Sequence, residues 1–292
     1  MSLLLSSLAM GILLALLSLG VFVSFRILRT LDLTTDGAFT IGGAVSGALL
    51  MAGLPPMVTI LAGGVAGALA GVVTGLIHTR GKVDAILSGI LVTTGLYSVT
   101  YWTMGAGNLS LASRHTLFDQ IAGLVPALPR DVGAIVVLLG LVGFMAGVFG
   151  IFVNTDLGLA LRSTGSNARM AKAQAIDTAL ATTLGLALAN SGVGISGALM
   201  VHYTGFANVQ NGAGMIVTAL ASIILGEALF SQRTIRRRLL AALLGAVAFR
   251  LMVAAVLRMG FDPNALKLFT ALFVLLALLL PRWFPRFRRA HG

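Results

Sequence analysis

From Ser2 to Phe25 the chain runs for 24 residues without a charged side chain, SLLLSSLAMGILLALLSLGVFVSF. As a helix rising about 1.5 Å per residue, such a run crosses the roughly 30 Å hydrocarbon core of a bilayer. Inside hydrocarbon every backbone N–H and C=O must find its partner within the segment, which leaves helices and closed barrels as the only spanning forms. A barrel needs alternating stretches of about ten residues, and these are absent. Apolar runs recur along the chain, and spans are expected at 3–25, 37–52, 57–78, 84–104, 132–153, 177–200, 213–230, 239–258 and 265–281. Only 10% of the residues are charged, against about 25% in a soluble domain. The expectation is an all-α, polytopic transmembrane helical bundle of about nine spans (eight to ten), with residues 1–292 as one transmembrane domain. The N-terminus MSLLLSSLAMGILLALL has no basic region before its apolar run, so it reads as a retained first span.

The charges orient the bundle. Arg26 and Arg29 follow the first span, Arg80 and Lys82 the third, and Arg162, Arg169 and Lys172 the fifth. Arg233, Arg236, Arg237 and Arg238 follow the seventh, and Arg282, Arg286, Arg288 and Arg289 the ninth. Fifteen of the 20 basic residues thus collect in alternate gaps, the positive-inside pattern. It puts the N-terminus outside and the C-terminus in the cytoplasm, and it accounts for the net charge of +11 without nucleic acid as a partner. The absence of cysteine removes disulfides, thiolate nucleophiles and thiolate metal sites. GLIHTRGKV is the nearest approach to a phosphate-binding G-x-x-x-x-G-K-S/T loop, but its spacing is wrong and no hydroxyl follows Lys82. The four histidines are scattered, so neither a metal site nor a catalytic residue is expected. The chain reads as no enzyme, and it cannot hydrolyse ATP by itself.

Several polar features lie where apolar ones are expected. LDLTTDGAFTIGG, 31–43, carries Asp32 and Asp36. It reads equally as a cytoplasmic-edge turn with Asp36 near a helix N-terminus, or as a broken helix at membrane depth. Arg250 falls within the eighth span, where a charge must face protein or water; Asp32, Asp36 and Glu227 are its candidate partners. With Asn190 of the sixth span, Asp32, Asp36 and Arg250 are the pathway or gating candidates. HYTGFANVQNG, 202–212, reads as an outer loop, with His202, Tyr203, Asn208, Gln210 and Asn211 available to a solute or an external partner. Tyr97, Tyr101 and Trp102 read as an interfacial aromatic belt. Gly63, Gly67, Gly71 and Gly75 line one helix face and predict close helix packing.

Between the fifth and sixth spans lies TDLGLALRSTGSNARMAKAQAID, 155–177. Asp156 is expected to cap a short helix, Gly165 to end it in a left-handed conformation, and Ser166 or Asn167 to start a helix running into the sixth span. The short helix is expected near the membrane surface with Leu157, Leu159, Ala160 and Leu161 partly buried. An amphipathic connector resting on lipid headgroups is the plainer alternative.

This stretch resembles the cytoplasmic coupling segment of permeases in branched-chain amino-acid and ribose-type ABC importers. Their pattern is approximately T-x-x-G-x-x-x-R-x-x-G-x-N-x-x-x-A-x-x-x-G-I. Thr155, Gly158, Arg162, Gly165, Asn167, Ala171 and Ile176 match it, and Ala175 departs where the family usually has Gly. LGVFVSFRILRTLDLTTDGAFTIGGAV and LALANSGVGISGALMVHYTGFANVQNGAGMIVTALASIILGEAL are similar to the tryptophan/tyrosine-type subgroup. The resemblance covers about residues 8 to 230.

It implies a division of labour. Two copies of the permease, a homodimer, form the pathway through the bacterial cytoplasmic (inner) membrane. A cytoplasmic ATP-binding-cassette ATPase dimer holds the ATP and Mg and grips segment 155–176 through Thr155, Asp156, Leu157, Gly158, Leu161, Arg162, Gly165 and Asn167. An extracytoplasmic binding protein delivers a small organic solute, an amino acid and in the leading version an aromatic one, with branched-chain amino acids, nucleosides and sugars left open. This chain itself binds no cofactor. An ion-coupled secondary transporter is the runner-up; it needs coupling groups at mid-membrane and inverted repeats, and no clear repeat is visible. A structural membrane protein without transport leaves the capped segment unexplained.

Overall fold

The protein is described by a computed structural model covering residues 2–124, 130–230 and 234–258, with positions 268, 271, 272 and 275. Arg233, the C-terminal arginines and all but those few positions of the expected ninth span lie outside the described residues.

Helix α1 (Ser2–Phe22) runs on into a π-helical turn, Val23–Ile27. Then come α2 (Thr34–Met51), α3 (Pro56–Thr79), α4 (Ala85–Met104), β1 (Asn108–Ser110), α5 (Leu117–Leu124) and α6 (Arg130–Phe152). The second half carries α7 (Asp156–Ser166), α8 (Ala168–Ala173), α9 (Thr178–Thr204), β2 (Phe206–Asn208), α10 (Met215–Leu229) and α11 (Ile235–Arg258). Among the described residues six helices are long and apolar enough to cross a membrane: α1 with its π turn, α3, α4, α6, α9 and α11. Two further expected spans coincide with α2 and α10, of 18 and 15 residues. At about 1.5 Å per residue they reach roughly 27 and 22 Å, short of a full crossing.

Local chemistry sets the ends. Asp84 accepts from the backbone N–H of Ile86 and Leu87 to start α4, and Gly105, at φ 69°, closes it. Asp177 accepts from Ala179 and Leu180 to start α9, and Gly205, at φ 80°, closes that. These are N-cap carboxylates and left-handed C-terminal glycines.

Helix α9 is the axis of the fold, buried against α1, α2 and α3. The glycine face of α3 packs on it: a β-carbon on Gly67 or Gly71 would overlap the carbonyl oxygen of Asn190 or Leu186. The α3 repeat therefore serves contact within one chain. On α6, Gly143 and Gly147 meet no neighbouring atom within 4 Å of where a β-carbon would sit.

The helices bear out the all-α, polytopic expectation; beside them lies one short antiparallel ribbon, in which Asn108, Leu109 and Ser110 pair with Asn208, Ala207 and Phe206. An amendment follows from where the chain goes next. Ala207 lies beside Gly47, near the C-terminal end of α2, whereas Gly212 abuts Asp36 and Thr40, near its N-terminal end. Eleven helical residues separate Gly47 from Asp36, about 16 Å. Residues 207–212 thus run back along α2 instead of forming an outer loop, and α10 begins at the level of the first turn of α2.

Candidate functional site

The segment expected to bear force is built as two short helices. Thr155, not Asp156, is the N-cap of α7: its Oγ1 accepts from the Gly158 N–H at 3.3 Å. Asp156 stands in the first turn, where a carboxylate suits the helix dipole. Gly158, Leu161 and Thr164 are buried, while Asp156, Leu157, Leu159 and Asn167 are exposed. The buried face docks through small residues. A β-carbon on Gly158 would overlap the Phe152 carbonyl oxygen. One on Gly165 would overlap the Ile27 carbonyl oxygen, at the end of the π turn. Leu161 is 2% exposed and, with Leu28, fills the space left by Gly185 of α9.

Gly165 is therefore not the left-handed terminator expected of it. It is helical, and its missing side chain admits the backbone of α1. The break falls at Asn167, at φ −158° and ψ 95°, whose Oδ1 accepts from Met170 N–H at 3.1 Å and caps α8. Nor does the second helix run into α9: it stops at Ala173, and Ala175 takes the left-handed conformation, φ 61°. That is the position where the resembled pattern has Gly. Arg162 is half-buried and lines a cavity beneath α7. The outward surface of the pair offers Leu157, Arg169 and Met170.

Asp32 and Asn190 do meet. Asn190 Nδ2 donates to Asp32 Oδ2 at 2.6 Å and to the Leu186 carbonyl oxygen at 2.9 Å. Thr34 N–H donates to Asp32 Oδ1 at 2.9 Å. The non-helical stretch before α2 is pinned on both sides, by Thr34 and Thr74 at 2.6 Å and by Thr93 Oγ1 donating to the Leu33 carbonyl oxygen at 2.8 Å. Asn190 Oδ1 is buried without a partner among the described residues, which marks a polar spot inside the bundle.

Asp36 caps a distant helix as well as lying in the first turn of its own. Gly214 N–H donates to its Oδ2 at 2.9 Å and Ile216 N–H to its Oδ1 at 2.8 Å, the start of α10. A helix that begins at depth with a carboxylate across its N-terminus is tolerated where it lines a cavity or is buried in protein.

The expected partners of Arg250 are all engaged elsewhere. Glu227 pairs with Arg26, Asp32 with Asn190 and Asp36 with α10. Arg250 is half-buried in α11, and its guanidinium approaches Met10 Sδ of α1 at 3.6 Å.

The outer candidates separate. His202 is fully buried and faces no external partner. Leu117 N–H donates to its Nδ1 at 3.2 Å, so Nε2 carries the proton and faces the hydroxyls of Ser46 and Thr59, each at 3.1 Å. One side chain thus joins α2, α3, α5 and α9. Tyr203 is half-buried too: its hydroxyl donates to Asp131 Oδ1 at 3.4 Å, and its ring stands edge-on to Phe118, centroids 5.6 Å apart. Asn208 is half-buried in β2, and its Oδ1 accepts from Gln210 N–H at 2.7 Å. Gln210 is exposed, and Asn211 is half-buried with its N–H on the Asn208 carbonyl oxygen. The last three lie on the returning stretch beside α2. Tyr97, Tyr101 and Trp102 are exposed on α4.

The chain is a many-span helical bundle with buried polar groups and a capped short helix packed against two of its spans, and its likeness to known proteins makes it a membrane transport component. The chain belongs to the branched-chain amino acid transport system / permease component family, whose description matches residues 3–279. It is 32% identical over 275 residues to a tyrosine transport system permease protein of Clostridioides difficile (strain R20291), covering 94% of this chain and 90% of that one. An uncharacterized protein of Rickettsia prowazekii (strain Madrid E) is 27% identical over 287 residues, covering 95% of this chain and 97% of that protein. No solved structure matches the chain.

Proposed function

We propose that the protein is the transmembrane permease subunit of an ATP-binding-cassette importer, carrying an amino acid, aromatic in the leading version, into the cytoplasm of a bacterium through its inner membrane. The observation that carries the reading is the docking of α7. Its buried face is held by Gly165 on the end of α1, by Gly158 on the end of α6 and, through Leu161, on α9, while Leu157 and Leu159 stay exposed. An exposed apolar surface beside polar groups suits a protein partner, and rigid attachment to these spans suits transmission of a push. ATP and Mg then sit in the partner ATPase dimer, two permeases form the pathway, and an extracytoplasmic binding protein delivers the solute. The tyrosine transport relative supports an aromatic amino acid. In the bundle, Asp32, Asn190, Asp36 and the returning stretch 207–214 are the groups nearest to a polar route.

Two experiments test this. Tagged permease, expressed with the ATPase gene beside its own, should co-purify that ATPase, and Leu157→Asp should abolish the capture while leaving membrane insertion intact. The neighbouring binding protein, screened by thermal shift, should be stabilised by tyrosine or tryptophan above leucine, ribose or nucleosides. Failure of capture by the wild-type chain removes the importer reading; stabilisation by another solute removes only the aromatic one.

A further inference from the structure

Arginines gather at one end of the bundle around a cavity of about 540 Å³ between the π turn, α7 and the start of α11. Arg26, Arg29, Arg162 and Arg238 line it, with Ser163 and Ser166 between them. Glu227 answers Arg26; neither Arg29 nor Arg162 has a carboxylate partner among the described residues. The two serine hydroxyls donate within α7, to the Ala160 and Ser163 carbonyl oxygens, so the guanidinium groups are what suit an anion that can take several charge-assisted hydrogen bonds, a phosphate above all.

Next to it, between α1, α6 and α11, lies a groove of about 620 Å³ with almost wholly apolar walls. Gly143, Gly147 and Gly150 of α6 form its floor, and Leu240, Leu243 and Val247 of α11 one side. The groove and the cavity adjoin along the chain: Leu239 and Leu240 line the former and Arg238 the latter. The depth of the groove is informative. Along α6 its lining runs from Leu139 to Ile151, about 18 Å. That is a little more than the roughly 15 Å of one leaflet and well short of the roughly 30 Å of a full hydrocarbon core. A spanning helix would need a groove of full depth, whereas an acyl chain of one leaflet needs half.

We propose that this end of the molecule binds an anionic phospholipid, with its phosphate among the arginines and one acyl chain along the glycine floor of α6. A basic pocket between spans that opens onto an apolar groove matches both halves of that molecule. The site goes beyond the transport reading and does not depend on it. It places a lipid directly under α7, where its presence would stiffen the contact between α7 and α1.

The test uses the purified full-length protein in detergent and native mass spectrometry with phosphatidylglycerol and phosphatidylcholine. Phosphatidylglycerol should be retained preferentially. Arg29→Gln and Arg162→Gln should each weaken it about fivefold, and together about 25-fold, down to the level of phosphatidylcholine. Gly147→Leu points into open space, so it leaves the fold intact and should cut retention of both lipids. Excess glycerophosphoglycerol, the headgroup without chains, should fail to displace the lipid. Equal retention of both lipids, insensitivity to the arginine changes or to Gly147→Leu, or complete displacement by the headgroup alone would each overturn the proposal. Because the chain has no cysteine, Gly147→Cys gives a clean further arm: disulfide-linked dimers in native membranes would assign the groove to a second copy instead.

Discussion

At the level of single residues, Gly165 and Ala175 show what the surface segment tolerates. A side chain at Gly165 meets the backbone of Ile27, which no rotamer change relieves. Gly165→Val should therefore lift α7 off the end of α1, with an overpacking cost of about 1–3 kcal/mol. On the proposed coupling role, the expected outcome is a permease that inserts normally but whose ATPase partner hydrolyses ATP without uptake, measured in reconstituted vesicles. Uptake equal to wild type would deny that this contact transmits anything. Ala175 offers the opposite sign. A left-handed Ala is strained by about 1–2 kcal/mol, while glycine returns about 0.5–1 kcal/mol of that as backbone entropy. Ala175→Gly should raise the melting temperature of the purified protein by roughly 1–3 °C, and Ala175→Val should lower it. In sequence, Gly165 looked like a terminator because glycine after a short helix is commonly one. Its true role depends on a carbonyl oxygen 138 residues away, which no local pattern encodes.

At the level of elements, the long spans could be read directly, because satisfying a backbone in hydrocarbon is a property of each segment alone. The polar stretches could not. HYTGFANVQNG has the composition of a loop, yet His202 is a buried junction and residues 207–212 fold back beside α2. Composition reports polarity but not depth; depth came from distant partners such as the Asp36 carboxylate. Two predictions follow from those partners. Asp36→Ala removes the acceptor for Gly214 and Ile216, at about 1–3 kcal/mol for donors left unmet. Amide exchange at residues 214–216 should quicken while that in α9 stays slow; unchanged exchange at 214–216 would mean that water or another group caps α10. His202→Ala breaks contacts to three elements at once and leaves a buried hole, so a loss of about 2–5 kcal/mol is expected. It should read out as a lowered detergent melting temperature and protease sensitivity around residues 110–117. His202→Gln, which can still donate to Thr59, should recover part of the loss.

For the whole molecule, the question is how a push on α7 would reach the polar interior. Leu161, Leu28 and Gly185 knit α7, the end of α1 and α9 into one junction. From α1 the Arg26–Glu227 pair continues to the far end of α10, the helix whose start is held by Asp36. Packed junctions shift as units between discrete arrangements, so α7, α1, α9 and α10 are expected to move together. The ion pair is the link in this chain that can be varied in charge with almost no change in side-chain volume, by an amide in place of the carboxylate. Arg26 is 39% exposed and Glu227 only 7%; solvent screens the Arg26 end, and a neutral amide at the buried end removes the very charge that needs the partner, so little net stability is lost. The pair's larger effect should be on coupling. Glu227→Gln should leave insertion and melting temperature near wild type while lowering uptake per ATP hydrolysed, because α1 can then shift without carrying α10. The charge-reversed pair Arg26→Glu with Glu227→Arg should restore part of that ratio, and either reversal alone should be worse than both. If the double reversal is no better than the singles, the pair is incidental and motion passes to α10 by packing against α11, whose Ala241 meets Gly226 at backbone contact.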